Sequence, residues 1–232
     1  MTPRERLIVA IDEPDVGAAR ALIARLHGAV DRVKVGMTLY YAAGPEFVRE
    51  LVSDGWKVFV DLKCHDIPHQ VAGAVGGLAE LGAELITVHV AGGREMLEAS
   101  ARAAEGSGTK VLGITALTSL DSASLAEIGP PTTPEALVQM RAALARDAGL
   151  DGVVSSPLEA SSVRALVGPD FEIVTPGVRP RGASTDDQRR VATPGQAIGW
   201  GASRLVVGRP ITRAEDPSMV ASAILAEIES VL

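Results

Sequence analysis

Eight short apolar runs rich in β-branched residues recur along this chain, and a helix-like stretch separates each from the next. The runs are LIVAI (7 to 11), RVKVG (32 to 36), KVFVDLK (57 to 63), ELITVHV (84 to 90), KVLGITAL (110 to 117), DGVVSS (151 to 156), FEIVTP (171 to 176) and RLVVG (204 to 208). Between them lie alanine- and leucine-rich segments such as VGAARALIARLHG, EFVRELVSDG, QVAGAVGGLAELGA and PEALVQMRAALARDAG, and DPSMVASAILAEIESVL ends the chain. Several close on a glycine, as helices often do. Strands that alternate with helices must pair in parallel through crossovers, and their continuous apolar character fits burial on both faces. Eight such units in 232 residues predict a single (β/α)8 barrel of the TIM type spanning residues 1–232, with a doubly wound open sheet as the alternative.

No linker or low-complexity tract divides the chain, and the 47 % hydrophobic content suffices for one large core. Two connections exceed what a barrel needs: LTSLDSASLAEIGPPTT after the fifth run and GVRPRGASTDDQRRVATPG after the seventh. Compact domains keep idle connections short, so both are expected to serve a function. A net charge of −7 lacks the basic footprint of a protein that binds nucleic acid or an anionic membrane. Cys64 is the sole cysteine, which precludes an intramolecular disulfide and fits a packing role in an intracellular protein. The N-terminal apolar run meets an acid too early for a signal peptide, and no segment reaches 18 apolar residues. A cytoplasmic protein without membrane contact is the expectation.

The chemistry of such a barrel gathers where its strands end. Asp12 ends the first run, Lys34 precedes Gly36 in the second, and Asp61 and Lys63 stand two apart, hence on one face, in the third. Structural ion pairs are the plain alternative. Burying several charges costs several kcal/mol per ion unless they neutralise one another, so the cluster reads as functional, with a lysine kept protonated beside carboxylates as a proton donor. After the seventh and eighth runs, Gly177 with Arg179 and Gly208 with Arg209 occupy the usual phosphate site of these barrels. His65 and His69 have ligand-like i, i+4 spacing, but Pro68 lies between them and no third ligand accompanies them, so no metal is expected. His89 fits a mouth residue or a polar core anchor equally. Trp56 and Trp200 are expected to pack between layers.

Taken in order, IVAIDEPD, VKVG, DLKCHDIP, TVHVAGG, LTS, TPGVRP and VVGRPIT resemble the orotidine 5′-phosphate decarboxylase family over almost the whole chain. DLKxHDIP followed by PGVRP and VGRPIT is highly specific. The resemblance implies cofactor-independent decarboxylation of orotidine 5′-monophosphate to uridine 5′-monophosphate. It implies that Asp12 and Lys34 contact the ribose, and that Lys34, Asp61, Lys63 and Asp66 form a Lys-Asp-Lys-Asp network with Lys63 donating the proton to C6. Thr118 would face the base, Gln188 would bridge base and phosphate, and Arg179, Gly208 and Arg209 would hold the phosphate. The working unit would be a homodimer in which Asp66 and Ile67 enter the partner's site, and the loop of residues 180 to 192 would close over the phosphate. Many members carry a threonine where this chain has Gln70, whose longer amide can still exchange hydrogen bonds with substrate. Two rivals share the barrel: a magnesium-dependent sugar-phosphate decarboxylase or aldolase with an Asp-x-Lys-x-x-Asp pattern, and a nucleotide-binding barrel without catalysis.

Overall fold

The eight apolar runs are eight parallel strands in the computed structural model, which describes residues 1–129, 132–180 and 192–232. They are β1 (Leu7–Ile11), β2 (Arg32–Gly36), β3 (Lys57–Cys64), β4 (Leu85–His89), β5 (Lys110–Ile114), β6 (Gly152–Val154), β7 (Glu172–Thr175) and β8 (Arg204–Val207). Each pairs with the next and β8 returns to β1, which closes the (β/α)8 barrel and excludes the open sheet.

Alternation along the strands divides the apolar side chains between two cores. Ile8, Ala10, Phe59, Leu85, Leu112, Val174 and Val206 form a small cluster inside the barrel. Their strand neighbours, among them Leu7, Val9, Val58, Val60, Ile86, Val88, Ile173 and Leu205, join the larger core between barrel and helices. The helices start where the sequence offers caps: the side chains of Asp15, Thr133 and Asp216 accept the N–H groups of Ala18, Ala136 and Met219, opening Val16–Leu26, Pro134–Asp147 and Pro217–Glu229. The same chemistry shortens the long fifth connection, where Asp121 caps a helix Ser122–Ile128. Trp56 is buried, edge-on to His27, whereas Trp200 is 36 % exposed at the end of Pro194–Gly199 and so does not pack between layers. Among the described residues no helix is long and apolar enough to cross a membrane.

Charge closes the lower end of the barrel. Arg32, Lys110, Glu172 and Arg204 are the first residues of β2, β5, β7 and β8, and Glu84 immediately precedes β4. Arg32 grips Glu84 with two hydrogen bonds of 3.0 Å. Arg204 reaches Glu84 at 3.2 Å and Glu172 at 3.3 Å, and Lys110 reaches Glu172 at 2.8 Å. At the opposite end, the loop after β7 is tied where it leaves and returns: Val178 bridges to Ala192, and the Arg179 N–H donates to the Ala192 carbonyl at 2.9 Å.

Candidate active site

The carboxyl ends of β1, β2 and β3 bring four charged side chains into one chain of contacts. Lys34 Nζ lies 3.0 Å from Asp12 Oδ1 and 3.5 Å from Asp61 Oδ2, and Lys63 Nζ donates to that same Asp61 oxygen at 2.9 Å. Lys34 and Asp61 are buried, at 8 % and 9 % exposure, which places the centre of the network beyond bulk water. Gly36 makes room for it, since a Cβ there would stand 2.9 Å from Lys34 Nζ and 3.1 Å from Asp12 Oδ1.

Each charge depends on its neighbours. Burial opposes the Asp61 carboxylate, but the Lys34 and Lys63 ammoniums, with hydrogen bonds from Lys63 and Thr87, hold its pKa below the ordinary range. Burial likewise opposes the Lys34 ammonium, and Asp61 with Asp12 outweighs it, raising that pKa. The expected shared face for Asp61 and Lys63 is real, but it is not a regular strand. The β3–β4 register shifts between Val60 and Cys64, and Lys63 (φ 54°) is the only non-glycine residue with positive φ among those described. Thr87, fully buried on β4, was no part of the expected site, although it opens the TVHVAGG motif. Its hydroxyl donates to Asp61 Oδ1 and accepts from the Lys63 backbone N–H, both at 2.9 Å.

The network opens into a cavity of about 590 Å³ lined by Asp12, Lys34, Asp61, Lys63, Thr118, Gly177, Arg179, Gly208 and Arg209, all expected there. Phe59, Ile114, Val154 and Val206 supply its apolar floor and walls, and Arg213 adds a further cation at the rim. Asp66, Ile67 and Gln70 do not line the cavity of their own chain. They are exposed on the turn after β3 and the first turn of Pro68–Glu80, with Ile67 63 % exposed and its N–H bonded to Asp66 Oδ1 at 2.6 Å. Gln188 lies outside the described residues, as does most of the loop that carries it. Among the described residues no group of three or more His, Cys, Asp or Glu is placed to hold a metal ion. Cys64 is half-buried against the outer core, and burial raises its thiol pKa.

His89 takes the anchoring role. Its Nδ1 accepts the Ala91 N–H at 3.3 Å, and its ring stacks on His65 with centroids 5.2 Å apart. Burial, then the positive charges of Arg141, His65 and Lys63, lowers its pKa to about 4. Between pH 6.5 and about 4 the unfolded chain therefore binds a proton at this position that the folded chain refuses, so stability falls as pH falls through that window. His89→Asn, which keeps an acceptor for Ala91 but cannot titrate there, is expected to flatten the fall by up to one proton of linkage, measured by urea unfolding at several pH values.

Fold and mouth together define a (β/α)8-barrel enzyme whose ammonium and carboxylate groups stand at the carboxyl ends of the strands. The chain belongs to the orotidine 5′-phosphate decarboxylase / HUMPS family, whose profile matches residues 5–224. It is 47 % identical to the orotidine 5′-phosphate decarboxylase of Nitrosospira multiformis over 97 % of this chain and 95 % of that one. It is 50 % identical to the enzyme of that name from Halorhodospira halophila over 96 % of this chain and 95 % of the other. The crystal structure of orotidine 5′-phosphate decarboxylase from Lactobacillus acidophilus superposes with a TM-score of 0.86 at 37 % identity, covering 96 % of this chain and 98 % of that one.

Proposed function

We propose that the chain converts orotidine 5′-monophosphate to uridine 5′-monophosphate and CO2 without a cofactor, as a step of pyrimidine nucleotide synthesis in the cytoplasm. The observation that carries this reading is the unbroken contact chain Asp12–Lys34–Asp61–Lys63 at the barrel mouth. The phosphate binds among Arg179, Gly208 and Arg209, with Gln188 between phosphate and base, and the base faces Thr118. Asp12 and Lys34 take the ribose, which sets the C6 carboxylate beside Asp61. The C6–carboxylate bond breaks heterolytically, CO2 departs, and the electron pair stays on C6. The Lys63 ammonium stabilises that carbanion and passes it a proton, forming C6–H and leaving a neutral amine that solvent reprotonates. Binding energy from the remote phosphate orients the reacting end.

Lys34 already bridges Asp12 and Asp61, so a divalent ion seeking both carboxylates would have to displace a buried ammonium. This favours the metal-free reading over the magnesium-dependent one. The working unit is a homodimer in which Asp66 completes the network from the partner chain, with Ile67 and Gln70 beside it. Two features support that arrangement: the exposed isoleucine and the adjoining groove lined by Tyr40, Tyr41, Cys64, His65, Gly73 and Gly77. Ultraviolet absorbance of orotidine 5′-monophosphate with purified protein tests the reading. Decay at the same rate with and without EDTA is expected; an unchanged spectrum refutes the assignment, and decay abolished by EDTA transfers the chain to the magnesium-dependent group.

A further inference from the structure

The sequence LITVH of β4 would pack as well, or better, with valine at its third position, because an inward residue of a buried parallel strand gains nothing from a hydroxyl. Thr87 is nevertheless fully buried, and its hydroxyl is used twice. On β3, Val60 is level with Ile86 and Cys64 with Val88, so Asp61, Leu62 and Lys63 together face Thr87 alone. Three residues opposite one leave the Lys63 N–H without its place in the ladder, and the Thr87 oxygen accepts it at 2.9 Å. That bond holds Lys63 in a left-handed conformation disfavoured for any residue with a Cβ. The hydroxyl proton then goes to Asp61 Oδ1, leaving Oδ2 for Lys63 and Lys34. One hydroxyl thus fixes both ends of the Asp61–Lys63 pair: the rotation of the carboxylate and the backbone from which the ammonium projects.

Resting on the decarboxylase reading above, we propose that Thr87 is a positioning residue for this reaction, locking Asp61 and Lys63 in the one geometry that serves the departing carboxylate and C6. Its role requires a donor and an acceptor on the same atom, so serine can replace it and valine cannot. Thr87→Val should lower kcat about 100-fold, the cost typical of a displacement near 1 Å at a reacting group, while KM stays within about threefold because the phosphate grip is untouched. Thr87→Ser should restore kcat to within about fivefold of the wild type.

The test combines steady-state kinetics of the three proteins with the crystal structure of Thr87→Val, in which Lys63 should leave the left-handed region and Asp61 should rotate. Wild-type kcat in the valine variant overturns the proposal. Equal losses in both variants, accompanied by a lowered melting temperature, also overturn it, since they would indicate damaged packing and not a lost hydroxyl. Should the wild type itself not turn over the substrate, the function reading fails and the crystal structure decides alone: unmoved Lys63 and Asp61 would refute the positioning role, and displaced ones would sustain it.

Discussion

Lys63→Ala is expected to abolish decarboxylation, with kcat reduced by at least about 10⁴-fold, the combined scale of a lost proton donor and a lost electrostatic partner for the carbanion. In the proposed mechanism both roles fall to one ammonium, because Lys63 lines the cavity and its nitrogen stands 2.9 Å from the Asp61 carboxylate. Lys34 cannot stand in. It is buried to 8 % exposure and bonded to Asp12 as well as Asp61, so its ammonium belongs to the frame of the site. The proposed phosphate end of the cavity is built from the other side of the barrel, after β7 and β8. Uridine 5′-monophosphate should therefore bind the variant within about tenfold of the wild-type Kd, by calorimetric titration, while absorbance shows no turnover. A variant that keeps turnover within tenfold of wild type would remove Lys63 from the mechanism. In the variant Asp61 also loses one of the two ammoniums that hold its pKa down, so that pKa should rise towards the ordinary carboxylate range.

Arg204→Leu is expected to cost about 3–5 kcal/mol of folding stability, roughly 6–20 °C in Tm for a domain of this size, without changing kcat per folded enzyme. Arg204 is buried at the foot of β8 and bridges Glu84 and Glu172 at 3.2 and 3.3 Å, so its removal leaves two carboxylates short of a partner in a site with little water. The penalty arises from the charge-assisted hydrogen bonds that both carboxylates lose, each keeping a single cation, Arg32 for Glu84 and Lys110 for Glu172. Removing Glu172 together with Arg204 should accordingly cost less than the two single losses added. Urea unfolding of the single and double variants measures the coupling, and strictly additive losses would show that the network is not acting as a unit. Burial opposes the Glu172 carboxylate, but the hydrogen bond from Lys110 and the charge of Arg204 lower its pKa beneath 4.5. A depressed acid stabilises the fold above its unfolded pKa, so this contribution is present at neutral pH and is lost as pH falls through the folded value, at the acid side of 4.5. The network sits at the opposite end of the barrel from the mouth, which is why activity should be spared.

Both ends of the barrel carry buried ions, yet only one was readable as a site. Asp12, Lys34, Asp61 and Lys63 stand out in the sequence because they follow apolar runs, where the barrel places its chemistry. Arg32, Glu84, Lys110 and Arg204 open such runs and Glu172 is second in its own, and a charged residue at the start of a strand reads as a solvated turn until the partners are known. Those partners are far away in the chain: Arg204 and Glu84 are 120 residues apart and meet only through closure of the sheet.

The sequence by itself determined the order of eight strand and helix units and which strand ends bear charge, because these follow from local periodicity and composition. Tertiary structure alone decided that Lys63 adopts a left-handed backbone, that the buried Thr87 hydroxyl ties it to Asp61, that Gly36 leaves room for Lys34 against Asp12, and that the floor charges pair as they do. Each of these depends on the register between neighbouring strands and on the closing of the barrel. A hydrogen bond of 2.9 Å between residues 24 apart exists only once that register is set.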